Sequence, residues 1–373
     1  MINEKIKKVQ NKKLHLVFNV SFVLFVFSLI VLIISIFNKT FANYYSNTFS
    51  AFLRKILSFV TGIFPFSVAE IILFLLPFWL FLLVFYIVRC IKRKTKVSTF
   101  FMTFFSVVFL LFFLFVNTFA VCYFRLPIEE QMGLERRALS RKELYGITLF
   151  LKQNLEDNLD VIEFSQDGAS ANPHNWKAVN DKLIKSYDDL NKDYKFLTKI
   201  NAPAKKLFVS PFMTYTHISG IYIPFTSEAN VNVNYPEYVT VYTIAHEMAH
   251  QRGIAGEDEA NFAAFLACVN CDDDYIKYCG LMSMYDYFLD SLYENDEEMY
   301  KYIVINTDKR VLGEMYSYYK FFEKYSDSTA SQVADTVNDT YLKTLGVEDG
   351  VKSYGKVVEL YYAMYKDNLG LIE

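Results

Sequence analysis

Three apolar runs dominate the amino-terminal third of the chain and limit what it can fold into. Residues 14–37 read LHLVFNVSFVLFVFSLIVLIISIF, almost unbroken hydrocarbon. A second run covers roughly 68–88 and a third roughly 100–124. Each reaches the ~20 residues that a helix needs to cross a bilayer. Core helices of soluble proteins rarely stay apolar on all faces for that long. The sequence therefore predicts three transmembrane helices. The first run is too long for the apolar stretch of a signal peptide and lacks a small-residue cleavage site, so it reads as a retained anchor.

Charge divides the chain at the same place. Residues 1–124 hold two acids, Glu4 and Glu70, against 13 Lys and Arg, while the remainder holds 39 acids and 25 bases. This predicts a membrane domain over 1–124 and a separate acidic domain over 125–373. The basic residues lie beside apolar runs, which suits lipid headgroups and argues against nucleic acid as a partner. Lys5, Lys7, Lys8, Lys12 and Lys13 precede the first run, and Arg89, Lys92, Arg93, Lys94 and Lys96 separate the second from the third. The positive-inside rule puts both segments in the cytoplasm. The expectation is a multi-pass protein of the cell membrane, amino terminus inside and the domain after about Arg125 outside. Residues 41–66, aromatic and intermittently polar, fit either an amphipathic helix at the outer interface or a loop packed on the bundle.

The second domain reads as α-rich α+β, mostly helical with a small sheet. Residues 125–201 have helical patterning, broken by the polar turn SQDGASANPHN. LFVSPF, GIYIPFT and NVNVN, within 207–234, read as short strands. Pro224 removes one ladder donor from the second of these and marks an edge strand. Helical periodicity returns at Pro236, and the many Tyr of the carboxy-terminal third fit helix packing better than a binding platform.

His246-Glu247-Met248-Ala249-His250 is an HExxH sequence. On a helix, positions i and i+4 share a face, so both imidazoles reach one ion, and the intervening Glu sits where it can take a proton from bound water. The context supplies the helix. Pro236 and Glu237 suit its start, Tyr238, Val241, Tyr242, Ala245, Met248 and Ala249 form a buried stripe, and Gly253 suits its end. The chain has five His, and two fall here at ligand spacing.

A catalytic zinc keeps three protein ligands and one open position. A second helix is predicted to start at Glu257, with Asn261 one turn later on the same face. Glu259 lies about 200° away around that helix, so only one of the two acids faces the ion. The stretch resembles the E-x-x-A/S-D/N pattern of zinc peptidases with a Glu third ligand, with Asn where Asp is commoner; that resemblance implies Glu257 as the favoured ligand, with Glu259 the alternative, and Asn261 as the residue that orients a ligand His. The extended HExxHxxGxxH pattern fails, because its third His would fall at Gly256. His217 and Tyr222 are weak candidates for an oxyanion donor. Cys268, Cys271 and Cys279 read as small core residues or a disulfide pair. Gln251 and Arg252 read as groups that cap or solvate the helix end.

The stretches TSEANVN (226–232), AHEMAHQRGIAGEDEANFAAFLAC (245–268) and YLKTLGVEDGVKSYGKVVEL (341–360) resemble the bacterial membrane proteins grouped as domain of unknown function 3810. The site is similar to that of Glu-ligated zincins, in which an edge strand beside the HExxH helix pairs with an extended peptide. The resemblance implies that role for the 220–226 segment, with Tyr222 and Ile223 against the substrate. The expected activity is a zinc metallopeptidase with Glu247 as general base, Zn²⁺ as cofactor, and a peptide or protein substrate at a membrane of lipid. A silent zincin-fold sensor or scaffold, and a zinc amidase acting on the cell envelope, are the alternatives. Intramembrane proteolysis is disfavoured, because the motif lies far past the last apolar run. The oligomeric state is not encoded in any motif.

Overall fold

The computed structural model describes residues 2–92, 97–326, 328–347, 350 and 355–371. Its amino-terminal part contains α1 (Ile2–Phe37), α2 (Lys39–Tyr45), a π turn (Ser46–Ser50), α3 (Ala51–Gly62), α4 (Val68–Phe74), α5 (Leu76–Lys92) and α6 (Val97–Thr118). Two helical stretches, Lys12–Phe37 and Ser98–Phe124, are long and apolar enough to cross a membrane. They pack on each other through stacked rings, with Phe25 and Phe109 centroids 4.6 Å apart. A buried amide marks their upper end, where Asn117 donates to Ser28 Oγ at 2.8 Å and accepts from the Tyr45 hydroxyl.

The second run departs from the single straight helix expected over 68–88. It is two helices, α4 and α5, bent by 52° around Leu75. Pro77 explains the break: its nitrogen cannot donate to the carbonyl of Leu73, and its ring crowds that carbonyl. Phe78, Trp79, Leu80 and Phe81 are about half exposed, a surface suited to lipid and a liability in water.

The 41–66 segment is helical and packs on the bundle with its polar face inward. Arg54, Ser58 and Thr61 of α3 are buried, whereas Phe52, Ile56 and Phe59 point outward. An apolar outer face is what a helix flanked by lipid presents.

The remainder is mostly helical: α7 (Ile128–Met132), α8 (Arg141–Glu156), α9 (Trp176–Asp193), α10 (Ser210–Met213), α11 (Glu237–Gln251), α12 (Glu257–Val269), α13 (Asp274–Asn295), α14 (Glu297–Ile305), α15 (Lys309–Phe322), α16 (Thr329–Thr344) and α17 (Val357–Tyr365). Phe262, Phe265, Tyr278, Tyr285, Phe288 and Tyr361 fill the core between α12, α13 and α17. The three-stranded sheet has the order β1-β3-β2. β1 (Lys205–Lys206) runs parallel to β3 (Glu228–Val231), and β2 (Gly220–Ile223) runs antiparallel to it, with Gly220 opposite Val231 and Ile223 opposite Glu228. β2 ends just before Pro224 and is an edge strand, as the proline implied.

LFVSPF is not a strand. The amides of Phe208 and Val209 donate to the Glu70 carboxylate at 3.0 and 2.8 Å, and Pro211 opens α10. Of NVNVN, only Asn230 and Val231 pair within β3.

Buried polar contacts join the two parts. Glu228 on β3 accepts from the amides of Val68 and Ala69 at 2.9 and 2.8 Å and so caps α4, while Glu70 on α4 returns the same service to residues 208–209. Each carboxylate sits where free amides and a helix dipole favour negative charge. Thr61 donates to the Thr226 carbonyl at 3.1 Å, and Lys205 to that of Phe64. Arg54 is 1% exposed and reaches the carbonyls of Thr118 and Ser46 and the Thr198 hydroxyl, all at 3.1–3.2 Å.

Glu70→Ala removes the acceptor of two amides at once. The expected cost is about 2–4 kcal/mol, at roughly 1–2 kcal/mol per orphaned donor. Thermal unfolding of the detergent-solubilised protein checks it: a fall of several degrees is expected, and an unchanged melting temperature would show that this contact does not hold the two parts together.

Candidate metal centre

α11 forms where the spacing predicted it, with Pro236 as the residue before its first turn and Glu237 leading it. It ends in a left-handed turn. Gly253 has φ +95°, its amide donates to the His250 carbonyl at 2.9 Å, and that of Ile254 donates to Ala249 at 3.1 Å. This double bond is the Schellman closure, which satisfies carbonyls that a helix end leaves free. The turn is only a few residues long, so α12 begins at Glu257 and folds directly back on α11.

The return brings three ligand atoms together. His246 Nε2 and His250 Nε2 lie 3.0 Å apart, and Glu257 Oε2 lies 3.2 and 3.3 Å from them. Around a tetrahedral ion with bonds of ~2.0–2.1 Å, neighbouring ligand atoms are separated by about 3.3 Å. The three edges therefore match the spacing that a small tetrahedral cation requires.

Hydrogen bonds fix the rings. His250 Nδ1 donates to the Ile254 carbonyl at 2.7 Å, which turns Nε2 toward His246 and Glu257. Asn261 is buried beside His246 and Tyr287, and its Nδ2 has no hydrogen-bond partner among the described residues. Against the cost of burial, the Glu257 carboxylate pushes His250 up to about 9. Burial would raise the Glu257 carboxyl, but the charge of His250 and hydrogen bonds from both rings hold it well below the usual range.

Glu259, the alternative ligand, faces elsewhere. Its carboxylate accepts from the Ile128 amide at 2.9 Å and pairs with Arg125 at 3.4 Å. The angular separation of the two acids on α12 decides which one meets the imidazoles.

Glu247 is 4% exposed, and its Oε2 has no partner. Burial pushes the carboxyl up to about 8, with His250 opposing and Glu257 adding to the rise. β2 lies directly over it. A Cβ on Gly220 would come within 2.5 Å of Glu247 Oε1 and 2.6 Å of Thr243 Cγ2, so only glycine lets the edge strand approach this closely.

Tyr222 and Ile223 lie on that strand beside the site, but the Tyr222 side chain is buried. Its ring sits 5.1 Å from Phe119 and 6.5 Å from His250, and its hydroxyl is 3.2 Å from Ser227 Oγ. It supports the His250 ring from behind, so as a side-chain oxyanion donor it is already engaged. His217 is likewise tied up: its Nε2 contacts the Tyr325 carbonyl at 2.9 Å, and its ring packs on Phe322.

Gln251 and Arg252 are buried and structural, not solvated. Gln251 donates to the Ser227 carbonyl at 2.9 Å, and Arg252 reaches the carbonyls of Met248 and Ile200 beneath Tyr187. Cys268, Cys271 and Cys279 are buried free thiols of the core, raised by burial, with no disulfide among the described residues.

Sequence reasoning missed Gly220, Phe119 and Tyr287. A lone glycine in a strand pattern signals close backbone approach and pointed to the first. Nothing local marks the other two.

The chain matches the family described as "Protein of unknown function (DUF3810)" over residues 45–362, most of its length, and belongs to that family. Neither the curated proteins nor the solved structures contain a match.

Gly253→Ala strains the turn between the ligand helices. A left-handed non-glycine residue costs roughly 1–3 kcal/mol, and the new Cβ would lie 2.5 Å from Arg54 Nη2. The expected loss is about 2–4 kcal/mol, at the upper end of that strain because of the clash. Denaturant unfolding of the two proteins side by side checks it, and equal midpoints would refute the turn's role.

Proposed function

We propose that this member of the family is a membrane-bound, zinc-dependent peptidase of zincin type. The observation that carries the reading is the triangle of His246 Nε2, His250 Nε2 and Glu257 Oε2, with edges of 3.0–3.3 Å beside a dry carboxylate. In this reading the bent α4–α5 pair is also a span, lying in the chain between the stretches Lys12–Phe37 and Ser98–Phe124. The basic segments at 5–13 and 89–96 face the cytoplasm, and the domain after Arg125 lies outside.

His246, His250 and Glu257 would hold the ion, and Asn261 and the Ile254 carbonyl would orient the two rings. When bound, zinc supplies a Lewis acid that lowers the pKa of its water toward ~7 and polarises a carbonyl. Glu247 takes a proton from the attacking water and delivers it to the leaving amine. Burial under β2 raises the proton affinity of the Glu247 carboxylate, which favours the first transfer. The open edge of β2 offers backbone donors and acceptors to an extended substrate, which fixes the register of the peptide over Glu247.

Metal analysis of the purified protein is the first test. About one zinc per chain is expected, with His246→Ala losing it. Wild-type protein without zinc, after preparation in zinc-containing buffer, would end the proposal. Hydrolysis of a peptide library is the second. Glu247→Gln is expected to keep the metal and lose about 10²–10⁴-fold in rate, and Gly220→Ala to lose about 10²-fold for the same cause, since its Cβ displaces Glu247. Undiminished turnover in Glu247→Gln would remove that residue from the mechanism. Metal bound with no hydrolysis of any peptide by the wild type would favour the sensor or scaffold alternative.

A further inference from the structure

The cluster opens into a cleft of about 1630 Å³. That exceeds the ~300–1,000 Å³ typical of small-molecule sites and suits a polymer. One wall carries an apolar stripe. α16 turns Ala330, Val333, Ala334, Val337 and Tyr341 toward the cleft, positions that share one helical face, with Asp335 and Asn338 at the edges of that stripe. Val333 and Val337 are 59% and 62% exposed. Across the cleft stand Ile221 and Phe225, each 40% exposed. The apolar face of α16 thus borders the cleft, and the water it meets there disfavours it unless an apolar group covers it.

One end of the cleft is a membrane helix. Phe115 and Phe119, in the stretch Ser98–Phe124 that is long and apolar enough to cross a bilayer, line it. Phe119 lies 6.0 Å from the His250 ring, and Phe115 packs on Phe225 at 6.4 Å. The edge strand and the turn after it connect the two ends. Gly220 at the start of β2 rests on Glu247, and Phe225, in the turn that follows Ile223, touches the stretch Ser98–Phe124 through Phe115. Five residues separate them, so at about 3.3 Å per residue an extended peptide covers the distance in no more than about five residues.

We propose that the substrate is a peptide anchored in the same bilayer, whose apolar segment leaves the lipid beside Phe115, lies between β2 and α16, and meets Glu247 roughly five residues later. The inference rests on the peptidase reading above. An apolar wall alone would also suit a soluble peptide; what favours an anchored one is that the cleft reaches Phe115 on a helix long and apolar enough to cross a bilayer.

The test uses the full chain in nanodiscs of phosphatidylethanolamine and phosphatidylglycerol. The probes are a fluorescent Leu- and Phe-rich peptide carrying a terminal palmitoyl anchor and the same peptide without it. Val333→Asn/Val337→Asn is expected to slow cleavage of the anchored probe at least tenfold and that of the free probe less than twofold. The cuts in the anchored probe are expected near the anchor. Equal effects on both probes, or none, would overturn the inference and leave the peptidase reading standing.

A second arm does not depend on turnover. A photoreactive residue five positions from the anchor is crosslinked to Glu247→Gln. Adducts are expected within 221–225 or 330–341, and the Asn double variant should lose them. Their absence, or labelling of these residues by photoreactive phospholipid that the peptide does not displace, would also overturn the inference. Adducts without any cleavage by wild type would sink the peptidase reading alone.

Discussion

A guanidinium with no carboxylate partner among the described residues ties the parts of the molecule together. Arg54 is buried on α3, and its Nη1 and Nη2 donors go to the carbonyls of Thr118 and Ser46, the Thr198 hydroxyl and the Cys122 sulfur, while its Nε has no partner among the described residues. A buried charge survives only if nearly all its hydrogen bonds are satisfied. Here the acceptors come from the end of α6, the π turn and the loop before the sheet, so the cation is stable only when all of these are in place. Its other flank presses on Gly253, the glycine that turns α11 into α12. The apolar amino-terminal helices and the turn that brings Glu257 to the imidazoles are therefore parts of one packed unit.

The candidate centre depends on two short-range geometries. One helical turn sets His246 above His250, and a tight left-handed closure makes α12 start close enough for its first residue to join them. The position of Glu247 depends on a more distant element. β2 covers it, and a side chain on Gly220 would push it away. The spacing of the His246–His250–Glu257 cluster is thus a property of fifteen or so contiguous residues, whereas the burial of Glu247 is a property of the whole fold.

That difference explains what the sequence revealed. The HExxH helix and its end at Gly253 are consequences of helical periodicity and glycine chemistry, which are local and legible; periodicity also showed that only one of Glu257 and Glu259 could face the imidazoles, and the likeness to Glu-ligated zinc peptidases favoured Glu257. The edge character of β2 followed from one proline. LFVSPF misled because alternation of apolar residues says nothing about where backbone amides find acceptors, and Glu70, almost 140 residues earlier, captures two of them. The bend within 68–88 was legible in Pro77, which hydrophobicity alone hides. Glu70 and Arg54 were visible as isolated charges in apolar surroundings, yet their partners are set by tertiary structure, and no pattern in the chain names them.

The carboxylates Glu228 and Glu70 have a mechanical consequence. Each is clamped to main-chain amides on the opposite side of the junction, so the sheet cannot tilt or lift without breaking both. Whatever fixes the position of α4 therefore fixes that of β2 as well, and the strand that covers Glu247 travels with the apolar part of the chain as one body.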